Sequence, residues 1–216
     1  VFAPDTVFSS IDHNRRYSYA NQPYIAQWNL ARLAESLLPF INNDRGKAIE
    51  MAEDSLNTFE QIYKSKWLSM MGSKLGITNI NKGDEDLFTT LLDLMHEHKS
   101  DFTNTFRDLS KSELPKEVLY ASENFQIWYN RWQDRLKKEK QDLESSYTLM
   151  KSVNPAIIPR NHKVEEALIA GEDGDLQPFH NLLHVLEHPY QEGKHLLPYQ
   201  SPPRPEEKVH QTFCGT

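Results

Sequence analysis

Apolar residues recur three and four positions apart along most of this chain, and this spacing constrains the fold more than any other feature. The first such stripe, between positions 21 and 41, consists of Leu30, Leu33, Ala34, Leu37, Leu38 and Ile41. Residues spaced in this way share one face of an α-helix, whereas a half-buried strand needs strict alternation of apolar and polar residues. The sequence contains no convincing alternating run. We therefore expect an all-α protein, a helical bundle with a substantial core.

Caps and prolines place the boundaries of the predicted helices. The first helix begins near Asn21, a good N-cap, with Pro23 in its first turn and its apolar stripe buried. A second helix is predicted over 47–71, with these residues facing inward: Ala48, Ala52, Phe59, Ile62, Tyr63, Trp67 and Met70. One further helix is predicted to begin at Asp84 or Asp86, and a short one covers 100–110. The longest helical stretch is predicted from Pro115 to about Met150, and two short helices occupy 163–170 and 175–187.

Two segments in the second half of the chain define its predicted organisation. Charges alternate in sign along "RLKKEKQDLE" at 135–144, which is typical of a solvated helix face. The segment "VNPAIIPRNH" contains two prolines four positions apart and is predicted to be an extended connector. It divides a bundle, residues 1–152, from residues 153–216, which hold two short helices, the second capped by Asp175. The proline-rich tail from Pro189 onward is predicted not to form helix.

Composition excludes several classes of partner. The net charge is -7, with 24 Lys and Arg against 31 Asp and Glu, so nucleic acid is not an expected partner. No apolar run approaches the roughly 20 residues that span a bilayer, and the N-terminal residues do not resemble a signal peptide. One cysteine, Cys214, cannot close an internal disulfide. We expect a cytoplasmic protein that has no membrane partner.

Three histidines four positions apart offer the most suggestive metal pattern. His180, His184 and His188 lie along one side of a predicted helix, and paired histidines at this spacing bind zinc in metalloproteases. Asn181, however, stands where the H-E-x-x-H motif has its glutamate. The buried direction of this helix is predicted from Phe179, Leu183 and Leu186, and the histidines point away from it. We therefore favour a solvated histidine row and assign no metal ligand, which leaves a histidine-based metalloprotein as the weakest alternative.

One polar cluster remains as a candidate site. The glycines form neither G-x-G-x-x-G nor G-x-x-x-x-G-K-[ST], and G-x-S-x-G is absent, so no catalytic or cofactor-binding residue is assigned within the chain. The residues before the first helix contain more polar groups than a helix entry needs. The candidates are Asp12, Arg16, Tyr17, Asn21, Gln22 and the nearby Trp28, with Arg15 in the same cluster. They either face a substrate or a catalytic lobe, or they cap and hydrogen-bond the helix entry.

Four long blocks then resemble the C-terminal half of the selenoprotein O (SelO, YdiU) family of protein adenylyltransferases. They are "TVFSSIDHNRRYSYANQPYIAQWNLARLAESLLPF", "DFTNTFRDLS", "SVNPAIIPRNHKVEEAL" with "GDLQPFHNLL", and "VHQTFCGT". The resemblance implies a protein-kinase-like fold, of which this chain would supply C-lobe helices and a C-terminal arm. It implies AMP transfer from ATP to Ser, Thr or Tyr hydroxyls of proteins, with Mg or Mn.

The resemblance also implies a division of labour. The family's nucleotide-clamping and metal-binding residues would lie upstream of Val1, so this fragment would bind no cofactor and be inactive without the missing N-terminal nucleotide-binding part. Some bacterial relatives carry a cysteine, at the position of Phe8, that can pair with the C-terminal cysteine. Cys214 is accordingly either a redox residue with another partner or a simple exposed thiol. A different alternative is a helical interaction module, without catalysis, that docks proteins through its tail.

Overall fold

A computed structural model describes residues 2–111 and 113–212. Within these residues it contains eleven α-helices, three short 3-10 turns and no β-strand, which confirms the predicted all-α fold. None of the described helices is both long enough and apolar enough to cross a membrane. The helices are α1 (Gln22–Ile41), α2 (Arg45–Asn57), α3 (Phe59–Lys74), α4 (Asp84–Glu97), α5 (Phe102–Asp108), α6 (Val118–Ala121), α7 (Glu123–Leu136), α8 (Leu143–Val153), α9 (Asn161–Glu172), α10 (Gln177–Leu186) and α11 (Leu197–Gln200).

The chain divides into two compact units. The small unit contains Ala3–Met70 together with Thr212, and the large unit contains Phe2 and Met71–Gln211. This division reflects the density of contacts within each unit. It leaves the predicted boundary between residues 152 and 153 as a prediction.

The core of the large unit is built around two tryptophans of α7. The rings of Trp128 and Trp132 stack with their centroids 5.7 Å apart. Each indole N–H donates to a backbone carbonyl, Trp128 to Leu87 at 2.8 Å and Trp132 to Leu75 at 2.9 Å. All four residues that the sequence predicts to face inward on this helix are buried: Phe125, Trp128, Trp132 and Leu136. The indoles therefore attach α7 both to α4 and to the segment that follows α3.

The predicted helical stretch from Pro115 to Met150 is wrong as a continuous element, because the chain forms α6, α7 and α8 there. Ser122 lies in extended conformation before α7, and its hydroxyl accepts a hydrogen bond from the N–H of Phe125 at 3.3 Å. Asp142 does the same before α8, where it accepts from Ser145 at 2.7 Å. Short polar side chains that bond the backbone at these positions begin new helices and end the preceding ones.

A buried ionic network contradicts the prediction that the charges from 135 to 144 are all solvated. Arg135 donates from Nε to Asp84 at 2.8 Å and from Nη1 to Glu139 at 2.6 Å. The other oxygen of Glu139 accepts from the N–H of Thr78 at 3.0 Å, and its side chain is 1% exposed. Burial alone would raise the pKa of Glu139, but the hydrogen bonds from Thr78 and Arg135 outweigh it and lower this pKa to about 2.

The C-terminal part of the large unit packs α9 against α10. Its buried cluster is Ala156, Ile157, Ala167, Leu182, Val185 and Leu196. The predicted connector is non-helical over residues 154–160, as expected. The predicted buried direction of α10 is wrong at two of its three residues, because α9 covers the side that carries Leu182 and Val185, whereas Phe179 and Leu183 are 47% and 46% exposed. The third, Leu186, is partly buried against the cluster.

Two further details of this region differ from prediction. Leu176 occupies the N-cap of α10, while Asp175 accepts from the N–H of Gln177 at 2.9 Å. The tail after Pro189 forms short helical turns, among them α11, contrary to the prediction of a helix-free segment. Pro198 lies in the first turn of α11, where the missing N–H breaks no helical hydrogen bond.

The small unit contains α1, α2 and most of α3. The predicted position of the start of α1, with Asn21 before it and Pro23 in the first turn, is confirmed, but the Asn21 side chain makes no capping hydrogen bond to the helix. The predicted single helix over 47–71 is wrong, because the chain breaks at Thr58, whose hydroxyl donates to the carbonyl of Ser55 at 2.7 Å. Asp44 caps α2 by accepting from the N–H groups of Gly46 and Lys47.

The predicted burial of the α1 stripe is also wrong. Leu30, Leu33 and Leu37 are 41%, 53% and 42% exposed, and Ile25 is the one residue of α1 that is buried. Several predicted inward residues of the second stripe are likewise exposed, namely Ile62, Tyr63 and Met70, whereas Ala48 and Ala52 are buried as expected. Spacing identifies residues that share a face, but burial also requires an element that covers this face.

Substituting Trp132 with Phe should lower the free energy of unfolding by about 2–3 kcal/mol, because the change removes volume from the core and leaves the carbonyl of Leu75 without its donor. The same substitution at Trp28, which is 42% exposed, should cost less than about 1 kcal/mol. Denaturant unfolding measures both values. Equal losses at the two positions would contradict the assigned role of the buried indole.

The Glu139 network should make stability depend on acid. The pKa of Glu139 is lower in the folded state than in the unfolded state, so its stabilisation is complete above pH 4.5 and is lost as the pH falls toward 2. Glu139→Gln should cost about 1–2 kcal/mol at neutral pH and flatten the stability curve over this range. The control is Glu166→Gln in the exposed pair with Lys163, which should cost less than about 0.5 kcal/mol. Thermal unfolding across the pH range tests the difference.

Candidate functional site

The segment before α1, here called the opening loop (residues 3–21), folds back on itself through backbone hydrogen bonds. The N–H of Tyr19 donates to Thr6 at 3.1 Å and that of Ala20 donates to Pro4 at 2.8 Å. Ser18, which directly precedes these two donors in sequence, is buried. Burial, with a smaller contribution from Tyr63, raises the pKa of Tyr19 and keeps this phenol protonated at neutral pH. The opening loop is therefore an ordered part of the small unit.

Asp12 holds the central turn of the opening loop. Its two carboxylate oxygens accept from the N–H groups of Arg16 and Tyr17, each at 2.8 Å. Arg15, which lies between Asp12 and Arg16 in sequence, has a φ of 54°. This left-handed conformation costs about 1 kcal/mol for a residue with a Cβ. The side-chain amide of Asn21 donates to the carbonyl of Arg15 at 3.1 Å. Asp12 and Asn21 together stabilise a turn that the backbone alone would disfavour.

An exposed tryptophan lies beside two arginines. The Cζ atom of Arg16 lies 4.1 Å from the ring centroid of Trp28, and that of Arg32 lies 5.3 Å from it. Both distances allow cation–π attraction, and Trp28 is 42% exposed. Arg32 also pairs with Glu35 at 2.6 Å. This arrangement presents guanidinium donors next to an aromatic surface, a combination suited to binding an anionic or planar group.

Most of the predicted site residues are brought together. Asp12, Arg16 and Tyr17 share one turn, and Arg16 joins that turn to Trp28. Asn21 reaches the turn through the carbonyl of Arg15. Gln22 is the first residue of α1, and its N–H donates to Tyr19. Whether these residues face a substrate or a catalytic lobe stays a prediction.

Two participants were missed by the sequence reasoning. Arg32 stands four residues after Trp28 on α1, a spacing that places two side chains on the same helix face and could have identified it. Thr212 contacts the opening loop from the other end of the chain: its carbonyl accepts from the N–H of Ser10 at 2.7 Å, and its hydroxyl donates to Phe8 at 3.0 Å. Cys214, the predicted redox residue, lies outside the described residues.

His180 and His184 of α10 are exposed, as is His188, which follows the end of this helix. His184 and His188 have ring centroids 6.1 Å apart, with their planes nearly perpendicular. Throughout residues 2–111 and 113–212, no group of three or more His, Cys, Asp or Glu side chains is arranged to hold a metal ion.

Comparison with known proteins identifies the lineage. Residues 1–187 match the family described as protein adenylyltransferase SelO. Proteins named protein nucleotidyltransferase YdiU align with all of this chain: that of Nitrosococcus oceani is 47% identical over 44% of its own length, and that of Alcanivorax borkumensis is 50% identical over 45% of its length. A third, from Clostridium botulinum, is 47% identical over 44% of its length. The chain therefore spans about half the length of these curated relatives, and it belongs to the SelO family.

Proposed function

We propose that this chain is the C-terminal helical part of a SelO-type protein adenylyltransferase, which transfers AMP from ATP to Ser, Thr or Tyr hydroxyls of proteins. One observation carries the proposal: relatives named nucleotidyltransferases match the chain from its first residue to its last, yet each is about twice as long. More than half of such a protein thus lies outside these 216 residues. The isolated chain is accordingly inactive.

The proposal assigns nucleotide chemistry to the missing N-terminal part. ATP would supply the AMP group there, and Mg or Mn would neutralise charge on the phosphates. Positioning and charge neutralisation dominate the catalysis of such transfers. The present chain supplies the helical support and the opening loop. The alternatives of a docking module and of a histidine metalloprotein stay predictions, as do the correspondence to a kinase C-lobe and the cytoplasmic location.

Within this division, the opening loop positions groups toward the catalytic part or its protein substrate. Asp12 fixes the backbone at Arg16 and Tyr17 with two charge-assisted hydrogen bonds. Tyr17 is 47% exposed and Trp28 is 42% exposed, so both have apolar surface available for contact. Ordering by Asp12 reduces the entropy lost when such contacts form, which supports a positioning role.

The central prediction concerns activity. The longer protein should incorporate label from ATP labelled at its α-phosphate, into itself or into proteins of an extract, when Mg or Mn is present. The isolated chain should incorporate none and should not bind ATP in equilibrium dialysis. Labelling by the isolated chain would contradict the division of labour. Failure of the longer protein to transfer label would contradict the activity itself.

Asp12→Ala in the longer protein should lower kcat for AMP transfer about tenfold, because it frees the turn that carries Arg16 and Tyr17. Hydrogen exchange at those two amides should accelerate 10-fold or more once their charge-assisted acceptor is removed. The melting temperature should change by less than about 4 °C.

Asp5→Ala is the matched control, since Asp5 only forms an exposed ion pair with Arg15 at 3.0 Å and should leave kcat unchanged. An unchanged kcat in Asp12→Ala, despite faster amide exchange, would refute the positioning role of the loop.

A further inference from the structure

The small unit lacks an apolar core of its own. Among the described residues from Ala3 to Met70, the buried apolar side chains are Ile25, Ala48 and Ala52. Many larger apolar side chains of its helices are exposed, among them Leu30, Leu33, Leu37, Phe40, Met51 and Ile62. A helix as long as α1 gains most of its stability in a protein from packing of its apolar face. The small unit therefore requires a further element to cover this face.

All of these exposed side chains except Phe40 line one groove. It has a volume of about 490 Å³, and its walls come from α1, α2 and the start of α3, including Leu33, Leu37, Met51, Phe59 and Ile62. We call it the α1–α3 groove. No charged side chain belongs to its lining in this part of the structure.

The groove requires an apolar occupant. Its two hydroxyl side chains are Ser55 and Thr58, and that of Thr58 already donates to the carbonyl of Ser55 at 2.7 Å. The walls are helical, so their backbone groups bond within the helices and cannot pair with an added β-strand. A helix satisfies its own backbone and can place a row of aliphatic side chains between two packed helices.

The length of the relatives leaves additional polypeptide as a source of this occupant. They match the whole chain, and the chain covers only 44–45% of their length. The additional polypeptide must pack against some surface, and the α1–α3 groove is an exposed apolar surface whose lining carries no charged side chain. We propose that a helix of the polypeptide preceding Val1 in the longer protein docks in the α1–α3 groove. This inference rests on the proposed function, which assigns that polypeptide to the same protein.

Docking there also has a consequence for the candidate site. Successive residues of a helix are rotated by about 100°, so Trp28 and Arg32 lie on the side of α1 away from Leu33 and Leu37. A helix seated in the groove would fix α1, and with it the stack of Arg16 on Trp28, relative to the docked polypeptide. The α1–α3 groove is therefore an anchor for the opening loop as well as a contact.

The first test measures access to the groove in the longer protein. Two variants are made in a Cys214→Ser background: Met51→Cys, whose position is 52% exposed in the groove, and the matched control Glu50→Cys, at the adjacent exposed position outside the groove lining. Thiol labelling is read by peptide-resolved mass spectrometry and compared with the rate in denaturant. Labelling of the Met51→Cys thiol should be at least 100-fold slower than in the unfolded protein, and that of the Glu50→Cys thiol less than 10-fold slower.

Similar rates at the two positions, whether both fast or both slow, would overturn docking in the groove. The readout needs neither ATP nor a protein substrate. A protein that protects position 51 but transfers no AMP would therefore contradict the proposed function alone, whereas an active protein with a reactive thiol there would contradict the docking alone.

The second test identifies the occupant. A photoreactive benzoylphenylalanine replaces Met51 in the longer protein at a concentration where sedimentation shows a monomer. Cross-linked peptides should map to residues preceding Val1. Links to residues 1–216, links that appear only when the protein dimerises, or a bound apolar small molecule in native mass spectrometry would each overturn the proposed occupant.

Discussion

Hydrogen bonding by two buried indoles is the interaction on which the large unit depends. Trp128 and Trp132 bring large apolar surfaces into the core, and each also carries an N–H that would be costly to bury without an acceptor. Their acceptors are backbone carbonyls at Leu87 and Leu75, which lie in different segments. Near the end of the same helix, Arg135 adds an ionic anchor to Asp84. Apolar packing alone tolerates small shifts along a helix, whereas these directional bonds fix the register of α7.

The small unit is ordered by different means. Its described contacts include side-chain caps and turns, such as Asp44 at the start of α2 and Asp12 in the opening loop. A cap contributes about 1 kcal/mol, whereas full burial of one Leu side chain contributes about 1.5–3 kcal/mol. Polar caps therefore specify where helices begin but cannot replace the missing burial of Leu33 and Leu37. Burial of these two side chains would need an element that the described part of the small unit does not supply.

Sequence spacing predicted the faces of helices better than their surroundings. The α7 stripe was predicted correctly because Trp128 and Trp132 lie on a face that other elements happen to cover. The α1 stripe was equally regular, yet Leu37 remains exposed, since spacing carries no information about the covering partner. Charge alternation failed at Arg135 for a related reason: a buried ion pair and a solvated one have the same pattern in sequence. Contacts between distant residues, such as that of Thr212 with the opening loop, leave no local signal.

The same limit applies to the candidate site: the sequence predicted which residues belong to it but not how they are arranged. Excess polar residues before α1 indicated the cluster, but the sequence did not show the left-handed turn at Arg15, where the side chains of Asp12 and Asn21 add to the backbone hydrogen bonds. Thr212 holds the earlier part of the loop at Phe8 and Ser10, although it lies beyond residue 187, where the family match ends. The opening loop is thus supported from within and from the tail. Asp12 and Asn21 bond the backbone of the turn itself, whereas Thr212 bonds the backbone at Phe8 and both the N–H and the hydroxyl of Ser10.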